Sequence, residues 1–143
     1  MRAVSSTSAD GDPGPRGPAT ADVLVIFGIT GDLARVMTFR SLYRLEQRGL
    51  ISYPIVGVAF DDWTQLQLVD HARRCIVATG EKLDEGVFDR FAARLSYVQG
   101  DFADESTYRR VRGAVAGAAT PVFYLEIPPS LFATVVRGLA GAG

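Results

Sequence analysis

"VLVIFGITGDLARVMTFRSLYRL", residues 23–45, passes from an unbroken apolar run into two glycines and then into a pattern with helical spacing. Strand, glycine turn and helix are the parts of a phosphate cradle. The first turn of a helix offers unpaired N–H groups and the positive end of the backbone dipole, and glycine lets a phosphate approach. Gly31 at the strand–helix junction and Ala34 one turn later match the last two positions of G-x-G-x-x-G/A. Ile29 stands at the first position, and the extra glycine is displaced to Gly28. Thr30 offers a hydroxyl that would either cap the helix or meet a phosphate oxygen. The competing reading is a tight strand-to-helix turn in some other α/β domain.

Outward from this turn, short apolar β-branched runs alternate with helical patterns. The first strand is 23–27, and a helix is expected from about 31 to 48. Leu33, Met37, Leu42 and Leu45 lie on or near one face of that helix, with Gly49 as its stop. Residues 54–60 form a second apolar strand. Thr64 reads as the N-cap of a helix through about 77, and a shorter helix covers about 84–95. A third strand at 97–99, a helix at 106–115, a fourth strand at 122–127 and a helix at 131–139 complete the pattern. Strands apolar throughout belong in a sheet covered on both faces, and alternation with helices implies parallel crossovers. The fold class is therefore α/β, the N-terminal portion of a Rossmann-type doubly wound sheet.

Composition agrees. The chain has 143 residues, 48% hydrophobic and 22% charged, the values of one globular domain. A formal net charge of −1 leaves no basic stripe for nucleic acid or an anionic membrane. One cysteine forms no intrachain disulfide, and the apolar run at 22–29 is too short to span a bilayer, so a cytoplasmic protein is expected. Residues 1–20, rich in Ser, Asp, Gly and Pro, read as a disordered leader, and 21–143 as the domain.

Coenzyme choice in this fold is made at the end of the second strand, where a carboxylate accepts from the ribose 2′-OH or an arginine takes a 2′-phosphate. Here that strand runs into Phe60-Asp61-Asp62-Trp63, with no cation. Local charge favours NAD over NADP; the alternative is that Asp61 and Asp62 only solvate the turn and charge the next helix. After the third strand, Asp101 would accept from the adenine amine or serve as an N-cap or loop acid. After the fourth, Tyr124 would approach the nicotinamide or sit in the core. His71 and Cys75, four residues apart on one helix, are too few for a metal site and read as a core or surface pair.

The segments "FGITGDLA", "IVGVA", "RLSYVQGDFAD" and "PVFYLEIPPSLF" together resemble the N-terminal coenzyme domain of glucose-6-phosphate dehydrogenases, over roughly residues 22–142. The resemblance implies hydride transfer from C1 of glucose 6-phosphate to NADP or NAD. It maps Gly28, Thr30, Gly31, Asp32 and Leu33 onto the family's coenzyme fingerprint, and Tyr124 onto a coenzyme-lining tyrosine. Two departures stand out. The family typically carries a lysine at the place of Met37, close to substrate and nicotinamide, and Arg35 and Arg40 project from other angles of the helix. Its NADP-favouring members carry an arginine at the place of Phe60. The family's catalytic histidine and phosphate-binding residues lie further along than Gly143, and His71 is not a candidate base. The chain alone is thus expected to bind a dinucleotide weakly and not to catalyse, with glucose 6-phosphate bound only alongside a C-terminal domain. Two other readings stay open: a nucleotide-responsive binding module, and a remnant that self-associates through an uncovered face.

Overall fold

The structure is a computed structural model, and it describes residues 22–32 and 34–142. The expectations for residues 1–20 and for Leu33 lie outside the described residues. In chain order the elements are β1 (Val23–Phe27), a π-helical segment (Ala34–Thr38), α1 (Phe39–Gln47), β2 (Ile55–Ala59), α2 (Gln65–Ala78) and α3 (Glu85–Arg94). Then come β3 (Leu95–Gln99), α4 (Glu105–Ala114), β4 (Pro121–Leu125), a 3-10 turn (Pro129–Leu131) and α5 (Phe132–Ala142). The four strands form one sheet in the order β3-β2-β1-β4, every pair parallel. Leu24 stands opposite Ile55 on one side and Val122 on the other, which fixes the register at the sheet centre.

Alternation along the strands divides the core in two. Leu24 and Ile26 point to a layer built on Phe39, Tyr43, Phe88 and Phe91 from α1 and α3. Val25 and Phe27 point to the opposite layer, with Tyr108 and Val111 of α4 and Val135 of α5. Each fully buried side chain of this size contributes about 1.5–3 kcal/mol, so the two layers hold the sheet between them. Helix starts are set locally. The Thr64 hydroxyl accepts from Gln67 N while the Gln67 side chain accepts from Thr64 N, a complete capping box. Asp84 and Asp104 cap α3 and α4 through Val87 N and Ser106 N.

One expectation is corrected. The helix drawn from 31 to 48 is regular only over Phe39–Gln47, and a π-helical segment occupies its first part. A π turn takes an extra residue into one turn and shifts the phase of everything beyond it. Met37, placed on the core face by unbroken helical spacing, is therefore 53% exposed. Phe39 and Tyr43 take the fully buried positions beside Leu42. Residues beyond the shift pack as an amphipathic helix; those before it belong to the turn. The strand and helix ends elsewhere differ from expectation by at most three residues, as at β3, which starts at Leu95, β4, which ends at Leu125, and α5, which runs on to Ala142.

Candidate coenzyme site

β1 is the strand at which the order reverses, with β2 on one side and β4 on the other. Its C-terminal end is the topological switch point where doubly wound sheets hold their ligands. The glycine turn sits there. Gly28 has φ +89°, and its amide donates to the Val58 carbonyl at 2.7 Å. A Cβ on Gly28 would lie 2.3 Å from the Glu126 carbonyl oxygen, so glycine is needed both for the backbone angle and for the approach of the β4 exit. Gly31 N donates to Gly28 O at 2.9 Å and Arg35 N to Gly31 O at 3.0 Å, which closes the turn and begins the helical ladder. The amides of Ile29 and Thr30 have no hydrogen-bond partner among the described residues. Asp32, exposed, pairs with Arg35 at 2.9 Å.

Ile29, at the fingerprint's first glycine position, is fully buried. Its side chain lies over Gly57 of β2, where a Cβ would come within 2.7 Å of Ile29 Cγ2. The glycine missing from the turn is thus matched by one on the neighbouring strand. Sequence reasoning passed over Gly57, although an isolated glycine inside an apolar strand signals a close approach. Ala34 is fully buried, the small residue that lets the helix start pack against the sheet.

Thr30 neither caps the helix nor points elsewhere: its hydroxyl donates to Asp61 Oδ1 at 2.6 Å, across from the β2–α2 turn. That turn is tied from β3 as well. Tyr97 donates its hydroxyl to Asp61 O at 2.6 Å, and Gln99 Nε2 donates to Phe60 O at 2.9 Å. Burial, with the charges of Asp61 and Asp62 adding to it, pushes the Tyr97 phenol far up, so it remains a neutral donor. Phe60 itself is 69% exposed. Neither Tyr97 nor Gln99 was picked out from the sequence; both face the turn only because β3 pairs in register with β2.

Asp101 lies in the β3–α4 loop: Oδ1 accepts from Ala103 N at 2.8 Å, and its carbonyl accepts from the Thr107 hydroxyl. The N-cap role falls to Asp104 instead. Tyr124 is not a core tyrosine; it lies on the edge strand β4, 44% exposed. Just beyond it, Glu126 Oε2 accepts from the Thr38 hydroxyl at the end of the π-helical segment. Glu126 Oε1 is buried without a partner, and burial raises the carboxyl's pKa against the lowering effect of Thr38. His71 and Cys75 lie 3.4 Å apart in α2, and Trp63 and Phe39 pack on the imidazole. Burial lowers the His71 pKa and raises that of Cys75. Among the described residues no group of three potential ligands gathers into a metal site. None of their helices is long and apolar enough to cross a membrane.

A parallel sheet with a glycine turn at its switch point and an acidic turn beside it defines the start of a dinucleotide-binding α/β domain. The profile of the family "Glucose-6-phosphate dehydrogenase, NAD binding domain" matches residues 25–143, and the chain belongs to that family. Glucose-6-phosphate 1-dehydrogenase 1 of Mycobacterium tuberculosis is 54% identical over 124 residues, which are 87% of this chain and 26% of the relative. The glucose-6-phosphate 1-dehydrogenase of Dickeya dadantii is 34% identical over 131 residues. The crystal structure of the Mycobacterium avium enzyme superposes with a TM-score of 0.82 at 56% identity, covering 85% of this chain and 27% of that one. A glucose-6-phosphate dehydrogenase in complex with its substrate gives 0.74 at 25% identity over 84% of this chain. The chain spans about a quarter of the length of the curated relatives it matches. A nicotinamide dinucleotide is the coenzyme class of the family.

Proposed function

We propose that this chain is the coenzyme-binding part of a glucose-6-phosphate 1-dehydrogenase-like oxidoreductase, acting in glucose metabolism through the pentose phosphate pathway in the cytoplasm. The observation that carries the reading is the Gly28–Gly31 turn at the switch point, where Gly28 leaves no room for a Cβ and the half-buried Thr30 has an amide with no partner among the described residues. Gly28, Ile29, Thr30, Gly31 and Asp32 supply the turn. Phe60 and Asp61 flank the adenosine ribose, Asp101 the adenine, and Tyr124 the nicotinamide side. In the full-length enzyme of this reading, a bound nicotinamide dinucleotide would supply the hydride acceptor for C1 of glucose 6-phosphate. This chain's residues would bind and orient it; His71 of α2, its imidazole packed against Trp63 and Phe39, is not a candidate base for the hydroxyl proton.

The coenzyme of this reading is NAD. Residues 58–63 include Asp61 and Asp62 and no cation, and two carboxylates oppose a 2′-phosphate. Titration calorimetry of the chain with NAD, NADP and ADP-ribose tests it, and tighter binding of NADP would overturn the choice. A coupled assay with glucose 6-phosphate is expected to show no turnover by the chain alone. A second reading, self-association, draws on the exposed Tyr124, Phe132 and Val136 around β4 and α5. Sedimentation across a concentration series tests it; a monomer throughout would remove it.

A further inference from the structure

The cradle and the β2–α2 turn are joined by a side-chain hydrogen bond from Thr30 Oγ1 to Asp61 Oδ1, bridging residues 31 apart in sequence. An aspartate on a turn has free rotation about χ1 and χ2 unless something holds it. Here the backbone of the turn is held first: Asp61 O accepts from Tyr97 and from Trp63 N, and Phe60 O accepts from Gln99. With the backbone fixed, the Thr30 hydroxyl engages one carboxylate oxygen, and Oδ2 has no partner among the described residues. A carboxylate accepts only, so Oδ2 is suited to a hydroxyl donor and unsuited to a phosphate oxygen.

We propose that Thr30 is a specificity-determining positioning residue: by holding Asp61 Oδ1 it aims Oδ2 at the ribose hydroxyls of the coenzyme, and so sets the discrimination against a 2′-phosphate. This rests on the reading of the site as one that binds NAD. Thr30 then acts through Asp61 rather than on a phosphate. The glycine turn and the ribose end of the site become one unit, in which a change at position 30 alters recognition at position 61.

The test is calorimetric titration of the 143-residue chain with NAD and with NADP, for wild type and the T30V, T30S and D61N variants. T30V is isosteric and removes only the donor. It is expected to weaken NAD by about three- to tenfold, the worth of one positioned hydrogen bond, with NADP changed less. T30S restores the donor and the NAD/NADP ratio, which a merely structural role for the threonine would not require. In the T30V/D61N double variant the T30V effect disappears, because no charged acceptor is left to aim. The inference is overturned if D61N shifts the ratio while T30V does not, or if T30V and D61N add independently. If D61N leaves the ratio unchanged, or neither coenzyme binds, the underlying reading of the site fails instead. Unfolding midpoints of the five proteins, expected within a few degrees of each other, exclude a general loss of structure.

Discussion

β1 and β2 are buried at every position, whereas β4 has no fully buried position and β3 only Leu95. The central pair is sandwiched between two core layers; the flanking strands share their surface with loops and solvent. The candidate site straddles the two regimes. Its glycine turn grows out of the buried pair, and its partners Tyr97, Gln99, Tyr124 and Glu126 come from the flanks. Backbone placement is therefore set by packing at the centre, while hydrogen bonds reach the β2–α2 turn from the margin at Tyr97 and Gln99.

The contrast predicts where substitutions hurt. Gly28→Ala combines a left-handed backbone angle with a Cβ at 2.3 Å from a carbonyl that cannot move without displacing the β4 exit. A loss of about 2–5 kcal/mol in urea unfolding is expected; a loss under 1 kcal/mol would show that the turn is not locked to β4. Gly57→Ala forces a Cβ against Ile29 and is expected to cost about 1–3 kcal/mol. Because the clash is with one side chain, G57A and I29A should be non-additive, the pair losing about 0.5–3 kcal/mol less than the sum. Strict additivity would separate Ile29 from Gly57.

Glu126→Gln probes the margin. Burial raises the folded-state pKa of this carboxyl above its ordinary 4.5, so the native state holds the proton more tightly than the unfolded chain. Its contribution is fully present below 4.5 and is lost as pH rises through the raised value. The glutamine variant keeps an acceptor for Thr38 and has no charge to bury. It should match wild type in acid and exceed it in stability at neutral pH, measured as the difference between two urea curves at each pH. A variant less stable at pH 7 would mean that the charged form is the favoured one. The smallest effect belongs to Tyr124→Ser on the edge strand, expected below about 1 kcal/mol. A loss above 2 kcal/mol would erase the distinction between centre and flank.

The sequence was most readable where structure is local. The five-residue apolar runs of β1 and β2, the Thr64 cap and the Asp84 start all depend on neighbours within four residues. Fold class followed from their alternation. The π-helical segment was not readable, since its last residue, Thr38, is joined to Glu126, 88 residues away. The same holds within the site. Thr30 was legible as a hydroxyl near a phosphate cradle, and Asp61 as a carboxylate near a ribose. Their mutual hydrogen bond exists only once β1 and β2 are paired, and the match of Ile29 to Gly57 depends on the same pairing.

The turn around Asp61 carries a thermodynamic signature of its own. With both carbonyls and one carboxylate oxygen already engaged, little conformational freedom remains there to be lost when a ligand arrives. If the proposed ribose contact forms at Asp61, its selectivity resides in the heat of exchanging solvent for a sugar hydroxyl. Loop closure contributes almost nothing, and the entropy of association is left to the partner's own tumbling and torsions.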